Sequence, residues 1–104
     1  MSYQFQIVRG DFGRIYRGVI KDQNYSDCDA VIYVWDEDDV KIVDNRICVV
    51  SYVGSNTHVE FTPTEIDFDV PPGIYYGLFK LTKEDVTERT LRFTWLVEKQ
   101  EPQD

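Results

Sequence analysis

Four consecutive acidic residues, Asp36-Glu37-Asp38-Asp39, form the densest group of carboxylates in the chain. Clustered oxygen ligands are what a hard cation such as Ca²⁺ prefers. The run lacks both the ligand spacing of an EF-hand loop and the glycine that such a loop needs for its turn. Because aspartate is also favoured at turn positions, we interpret the run as a solvated hairpin tip and predict no metal site.

The residues that could serve catalysis are sparse. His58 is the single histidine of the chain, and a catalytic base needs a nucleophile and an orienting partner that the sequence does not place beside it. The segment Gly10-Asp11-Phe12-Gly13 is too short for a phosphate-binding loop, and it joins two strands where such a loop would lead into a helix. We therefore predict no catalytic residues, no cofactor and no enzymatic activity, and we interpret His58 as a surface or edge-strand residue.

The two cysteines, Cys28 and Cys48, are not spaced like a zinc knuckle or a redox pair. Free cysteine is among the most buried residue types, so the favoured interpretation is a pair of reduced, buried thiols. A disulfide between them is the alternative.

Composition narrows the class of partner. The chain has 104 residues and a formal net charge of −8, with a pI near 4.5. Such an acidic surface is repelled by nucleic-acid backbones and by anionic membranes, so neither is an expected partner. Residues 1–9 have no continuous apolar core and do not read as a signal peptide, and no apolar run approaches the roughly 20 residues that span a bilayer.

Hydrophobic residues alternate with polar ones almost everywhere, which is the period of a β-strand. No window has helical periodicity, and turn residues recur at the spacing typical of a sandwich or small barrel. We predict one all-β domain over residues 1–99, a polar tail over residues 100–104, and Asp44-Asn45 as a turn. Residues 83–90 are predicted to be a loop or a single helical turn. Strands are predicted over residues 3–7, 14–20, 29–36, 40–43, 46–53, 74–82 and 91–98, with short extended pieces at 58–61 and 66–68.

Two strands carry more apolar side chains than one core face requires. The last strand has one wholly apolar face and one mostly polar face, so the apolar face is predicted to be buried. The apolar face comprises Leu91, Phe93, Trp95 and Val97, opposite Arg92, Thr94, Leu96 and Glu98. In residues 29–36 and 74–82 both faces are largely apolar, whereas each sheet of a two-layer sandwich has only one inner face. Surplus apolar surface marks an interaction site. Trp35 fits either a buried core position or an interface anchor, and Tyr75 is predicted to be a core tyrosine whose hydroxyl reaches a backbone group.

Several segments resemble the short immunoglobulin-like domains of tailed-bacteriophage structural proteins, of which the N-terminal domain of upper baseplate proteins is the best-known example. The resemblance covers nearly the whole chain. Its segments are Gly10-Asp11-Phe12-Gly13, Asp22 with the loop to Tyr25-Ser26-Asp27-Cys28, the alternating Ala30-Val31-Ile32-Tyr33-Val34-Trp35, Pro72-Gly73-Ile74-Tyr75-Tyr76-Gly77-Leu78-Phe79 and Arg92-Phe93-Thr94-Trp95-Leu96-Val97.

The resemblance implies an immunoglobulin-like antiparallel β-sandwich of about 7–8 strands, located in a virion or in the host cytoplasm. It places Cys28, Ala30, Ile32 and Val34 inside, together with Tyr75, Gly77, Phe79 and Leu81. An outward patch is then left that would bind other protein subunits, in a homo-oligomer or beside a virion neighbour. The alternative is a carbohydrate- or receptor-binding module in which exposed aromatic rings stack on sugars. The predicted interface residues are Val31, Tyr33, Trp35, Ile74, Tyr76 and Leu78.

Overall fold

A computed structural model describes residues 4–99 of the chain, which form seven β-strands and, within that range, no helix. Tyr3, predicted to open the first strand, and the predicted polar tail at residues 100–104 lie outside the described residues. Residues 4–99 accordingly contain no helix of the length and apolarity needed to cross a membrane. The strands are β1 (Phe5–Val8), β2 (Tyr16–Ile20), β3 (Asp29–Trp35), β4 (Lys41–Val53), β5 (Asn56–Phe61), β6 (Gly73–Lys83) and β7 (Val86–Glu98).

The strands form one seven-stranded sheet in the order β1-β7-β6-β3-β4-β5-β2, and this sheet is nearly closed. β1 runs parallel to β7, and every other described pairing is antiparallel. The two edge strands contact each other where the Tyr16 hydroxyl donates a hydrogen bond to the Gln6 carbonyl at 3.2 Å and where the Phe5 and Tyr16 rings pack edge to face. The predicted all-β class is thus confirmed, whereas the two-sheet immunoglobulin-like arrangement is not.

A β-bulge in β4 replaces one of the predicted turns. Val34 pairs with Val43 and Ile32 pairs with Arg46. Between these two pairs β4 therefore contains one residue more than β3. The bulge is accommodated at Asn45, which has a φ of 52°. Asparagine adopts this left-handed conformation more readily than most residues. The prediction that Asp44-Asn45 ends a strand is therefore wrong, and residues 41–53 form one long strand instead of two.

The segment at residues 83–90, predicted to be a loop or a helical turn, is the tip of a β-hairpin. Lys83 pairs with Val86 across a two-residue turn, and Glu84 and Asp85 have φ values of 53° and 64°. Two positive φ angles in succession define the type I′ turn that suits the twist of a hairpin. Residues 83–90 are mostly polar on both faces, and the pairing of β6 with β7 shifts register after Leu81. The alternation typical of a strand is therefore not visible in this part of the sequence. The predicted extended piece at residues 66–68 also differs, since it lies in a turn.

The core is built around Trp95, which is fully buried as predicted. Its indole stacks on Phe68 with ring centroids 4.5 Å apart and also contacts Phe5 and Tyr16. Tyr75 is buried and donates a hydrogen bond from its hydroxyl to the Pro71 carbonyl at 2.7 Å, which confirms the sequence-based prediction. These contacts bring both edge strands and the 62–72 connection onto one aromatic cluster.

One buried carboxylate was not anticipated from the sequence. Asp67, 3% exposed, accepts hydrogen bonds from two nitrogens of Arg46 at 2.7 and 3.2 Å. It also accepts one from the Thr64 backbone amide at 2.7 Å. The ion pair joins the bulged part of β4 to the connection between β5 and β6, and the paired hydrogen bonds offset the cost of burying the charge.

Candidate functional site

The sheet order places the six predicted interface residues together, because β3 and β6 are adjacent. In register, Tyr33 lies opposite Leu78 and Trp35 opposite Tyr76. Ile74 is in line with them on β6, opposite Leu96 of β7. The residues that alternate with them on β3 and β6 are buried. We call the outward surface of β3, β6 and β7 the outer face; its apolar part comprises Val31, Tyr33, Trp35, Ile74, Tyr76, Leu78 and Leu96.

The side chains of this face are shielded by one another but not covered by another layer among residues 4–99. Tyr76 is 37% exposed, and the other five predicted interface residues are half-buried. Neighbouring side chains on one face of a sheet stand about 5 Å apart and cover each other's flanks. Trp35, for which the sequence left a core and an interface position open, is half-buried on the outward side.

Two contacts hold Tyr33 in place. Its hydroxyl donates a hydrogen bond to the Asn45 side-chain carbonyl at 3.2 Å, so the bulge in β4 supplies its partner. The Lys41 ammonium lies 5.1 Å from the centroid of the Tyr33 ring, within the range of a cation–π contact. An aromatic side chain held in one orientation loses little conformational entropy when a partner packs on it.

A shallow depression of about 360 Å³ lies beside the Trp35–Tyr76 pair. The depression is open to solvent and is lined by both apolar and polar groups. Pockets that receive a side chain of a binding partner have this mixed lining. The lining residues are Gln4, Trp35, Tyr76, Gly77, Arg92, Phe93 and Thr94.

Sequence reasoning missed part of this surface. Ile47 is 84% exposed and pairs directly with Val31, so it extends the apolar area onto β4. Leu96 extends it onto β7. The signal was present, because Ile47 alternates with the buried Cys48 and Leu96 alternates with Trp95. The predicted turn at residues 44–45 divided β4 into two strands, and this hid the continuous pairing with β3 that places Ile47 opposite Val31.

The acidic run forms the predicted hairpin tip. Asp36 accepts hydrogen bonds from the backbone amides of Asp38 at 2.8 Å and Val40 at 2.9 Å, and Asp39 adopts a φ of 64°. Across residues 4–99 no group of three or more histidine, cysteine, aspartate or glutamate side chains is placed to hold a metal ion. His58 is half-buried on β5, between Val19 of β2 and Ser51 of β4.

Cys28 and Cys48 are free and buried, which agrees with the favoured interpretation and not with a disulfide. Burial raises the pKa of the Cys48 thiol to about 12, against a smaller opposing effect of Arg46. Burial also raises the pKa of Cys28, and the Asp27 carboxylate adds to this. Both groups are therefore neutral, unreactive thiols near pH 7.

The structure thus brings together an apolar outer face with an aromatic pair beside a depression. Comparison of the chain with protein-family models and with curated proteins found no match. The functional interpretation consequently depends on the chemistry of the outer face itself.

Proposed function

We propose that this chain is a non-enzymatic protein-binding module whose outer face docks onto another protein subunit. The observation that carries the proposal is the adjacency of β3 and β6, which merges six outward apolar and aromatic side chains into one continuous surface. Continuous apolar surface on a folded domain is characteristic of an interaction site, and Trp and Tyr are enriched among the residues that dominate binding energy.

For the setting of this interaction we propose a phage or prophage virion, in a baseplate or tail. The support is the sequence resemblance to immunoglobulin-like domains of phage structural proteins. An immunoglobulin-like sandwich is the finer fold that goes with it. The strand pairing is compatible with a sandwich, because residues 49–53 of β4 pair only with β5, and β5 pairs with β2. A Cβ atom added to Gly18 of β2 would lie 3.0 Å from the Phe79 ring of β6, and this proximity of β2 to β6 supports the proposed sandwich.

Carbohydrate or receptor binding is the second candidate. The direct pairing of Trp35 with Tyr76 favours it, since two adjacent rings beside a depression with polar walls could stack on a sugar. A glycan array separates the two candidates. Binding to a defined glycan that is lost in Trp35→Ala would replace the protein-docking proposal.

The experiment that tests protein docking is the double substitution Tyr33→Ser with Tyr76→Ser. Wild type and variant are compared by sedimentation over a range of concentrations, and by affinity capture from the source cells with mass-spectrometric identification of the bound protein. We expect one association, with a copy or with an identified partner, that the variant weakens while its melting temperature stays close to that of wild type.

The matched control is Phe12→Ser with Val86→Ser, which removes two side chains that are each 59% exposed and lie outside the outer face. This control should retain the association. A wild-type protein that is strictly monomeric and captures no partner would contradict the proposal, as would an association that both double variants lose equally.

A further inference from the structure

The distribution of charge on the outer face is unlike that of the rest of the chain. The sequence has 19 acidic and 11 basic residues. The outward residues from Val31 to Trp35 on β3, from Ile74 to Lys80 on β6 and from Thr90 to Leu96 on β7 include no aspartate or glutamate. They do include two cations, Lys80 and Arg92. The outward carboxylates of these strands, Asp29 of β3 and Glu98 of β7, lie at the strand ends, so the middle of the outer face carries two cations and no acid on a molecule with a net charge of −8.

The two cations lie within the apolar surface and not at a distance from it. Lys80 pairs with Val31 on one side and Thr90 on the other, and Arg92 pairs with Leu78. Among residues 4–99, neither forms an ion pair, whereas Arg9, Arg17 and Lys83 each bind a carboxylate. Their charges are available to a partner.

We infer that the outer face binds an acidic protein segment in which carboxylates alternate with aromatic or aliphatic side chains; this rests on the proposed function and names the chemistry of the partner. Arg92 borders the depression beside Trp35 and Tyr76. A partner carboxylate on the Arg92 guanidinium would therefore place a neighbouring apolar side chain at the depression. Arginine is suited to this role because its planar donors bind a carboxylate in bidentate fashion.

Charge complementarity argues against a two-fold pairing of this face with itself. In such a pair both copies present the same surface, so Lys80 and Arg92 of each copy would enter an interface whose outward carboxylates from these strands, Asp29 and Glu98, lie at the strand ends and not beside the two cations. Buried charges without partners cost binding energy.

The test measures binding of the full chain to a fluorescently labelled random copolymer of glutamate and tyrosine, by fluorescence anisotropy. A copolymer of lysine and tyrosine and a single-stranded oligothymidylate serve as comparison probes. We expect binding to the glutamate–tyrosine copolymer alone, weakened by added salt. Arg92→Glu and Lys80→Glu should each weaken it about tenfold, as expected for loss of a charge-assisted contact and its replacement by repulsion.

Lys21→Glu is the matched control, because Lys21 is an exposed cation in the connection after β2, and it should leave the affinity unchanged. Absence of binding to the acidic copolymer, equal effects of all three reversals, or stronger binding to oligothymidylate would overturn the inference. If Tyr33→Ser with Tyr76→Ser abolishes capture of an identified partner while Arg92→Glu and Lys80→Glu do not, the acidic-partner inference fails and the docking function stands. If the tyrosine variant leaves every association unchanged, the docking function fails as well.

Discussion

Trp35 on β3 lies directly opposite Tyr76 on β6, in antiparallel register on the outward side of the sheet. These residues are far apart in the sequence, and only the adjacency of their strands brings the two rings together. Because the pairing is direct, the aromatic surface is one patch and not two separate stripes. Cross-strand aromatic pairs also stabilise the sheet modestly, by roughly 0.2–1 kcal/mol, so the pair can be weakened without loss of the fold.

Truncation of the central indole should be severe. Trp95→Ala is expected to lower the free energy of unfolding by about 3–5 kcal/mol, the range for buried aromatic residues, since Trp95 is fully buried against Phe68 and Tyr16. Trp35→Ala, at a half-buried position, should cost clearly less. Urea denaturation of both variants measures the difference, and a loss below about 1 kcal/mol for Trp95→Ala would show that the core is assigned to the wrong face.

A glycine on the inner side of β6 has little room for a methyl group. A Cβ atom at Gly77 would lie 2.5 Å from the Phe93 ring and 3.0 Å from the Tyr33 carbonyl oxygen. Gly77→Ala should therefore destabilise the protein by about 1–3 kcal/mol, as overpacking does. Adding Phe93→Leu should reduce the effect of Gly77→Ala, and equal effects in both backgrounds would refute the proposed clash. Thermal or urea melts of the four proteins supply the comparison.

The buried ion pair offers a third prediction. Asp67→Ala leaves the Thr64 amide and the Arg46 guanidinium without their acceptor, and we expect it to cost about 3 kcal/mol. Replacing both partners with apolar residues, Arg46→Met with Asp67→Leu, should cost much less than the single change. Denaturant melts that rank the double variant as the less stable protein would contradict this.

The Cys48 thiol predicts a pH dependence of stability at the alkaline side. Its folded pKa is raised to about 12 by burial, whereas an unfolded cysteine titrates near about 8.5. Above that lower value the unfolded chain releases its proton and the folded chain does not, so stability is lost as pH rises from about 9 towards 12. In urea melts the stability difference between wild type and Cys48→Ala should move against wild type over that range. A difference that stays constant with pH would contradict the assignment.

The parts of the fold that could be predicted from the sequence are those that depend on neighbouring residues of one strand. Strand alternation placed Phe93 and Trp95 in the core correctly, because the pattern of apolar residues within a single strand shows which of its faces is buried. The bulge at Asn45 and the turn at Glu84-Asp85 were missed, since asparagine, aspartate and glutamate in a left-handed conformation have no sequence signal distinct from an ordinary loop.

The closure of the sheet and the Asp67 ion pair could not be predicted either, because both depend on contacts between distant segments. Asp67 meets Arg46 only after β4 and the 62–72 connection are assembled. The same limit applied to the candidate site. The six outward residues were identified from alternation and family resemblance. That they form one continuous surface could be seen only from the pairing of β3 with β6.

The most direct test of the outer face as the binding surface is site-specific photo-crosslinking. The residue Tyr76 is replaced by p-benzoylphenylalanine, and Phe12, exposed outside the outer face, is replaced in a parallel protein. After irradiation in the source cells, we expect a crosslinked adduct to one identified protein from position 76 and none to that protein from position 12. Crosslinks to the same protein from position 12 but not from position 76 would contradict the assignment of the outer face as the interaction surface.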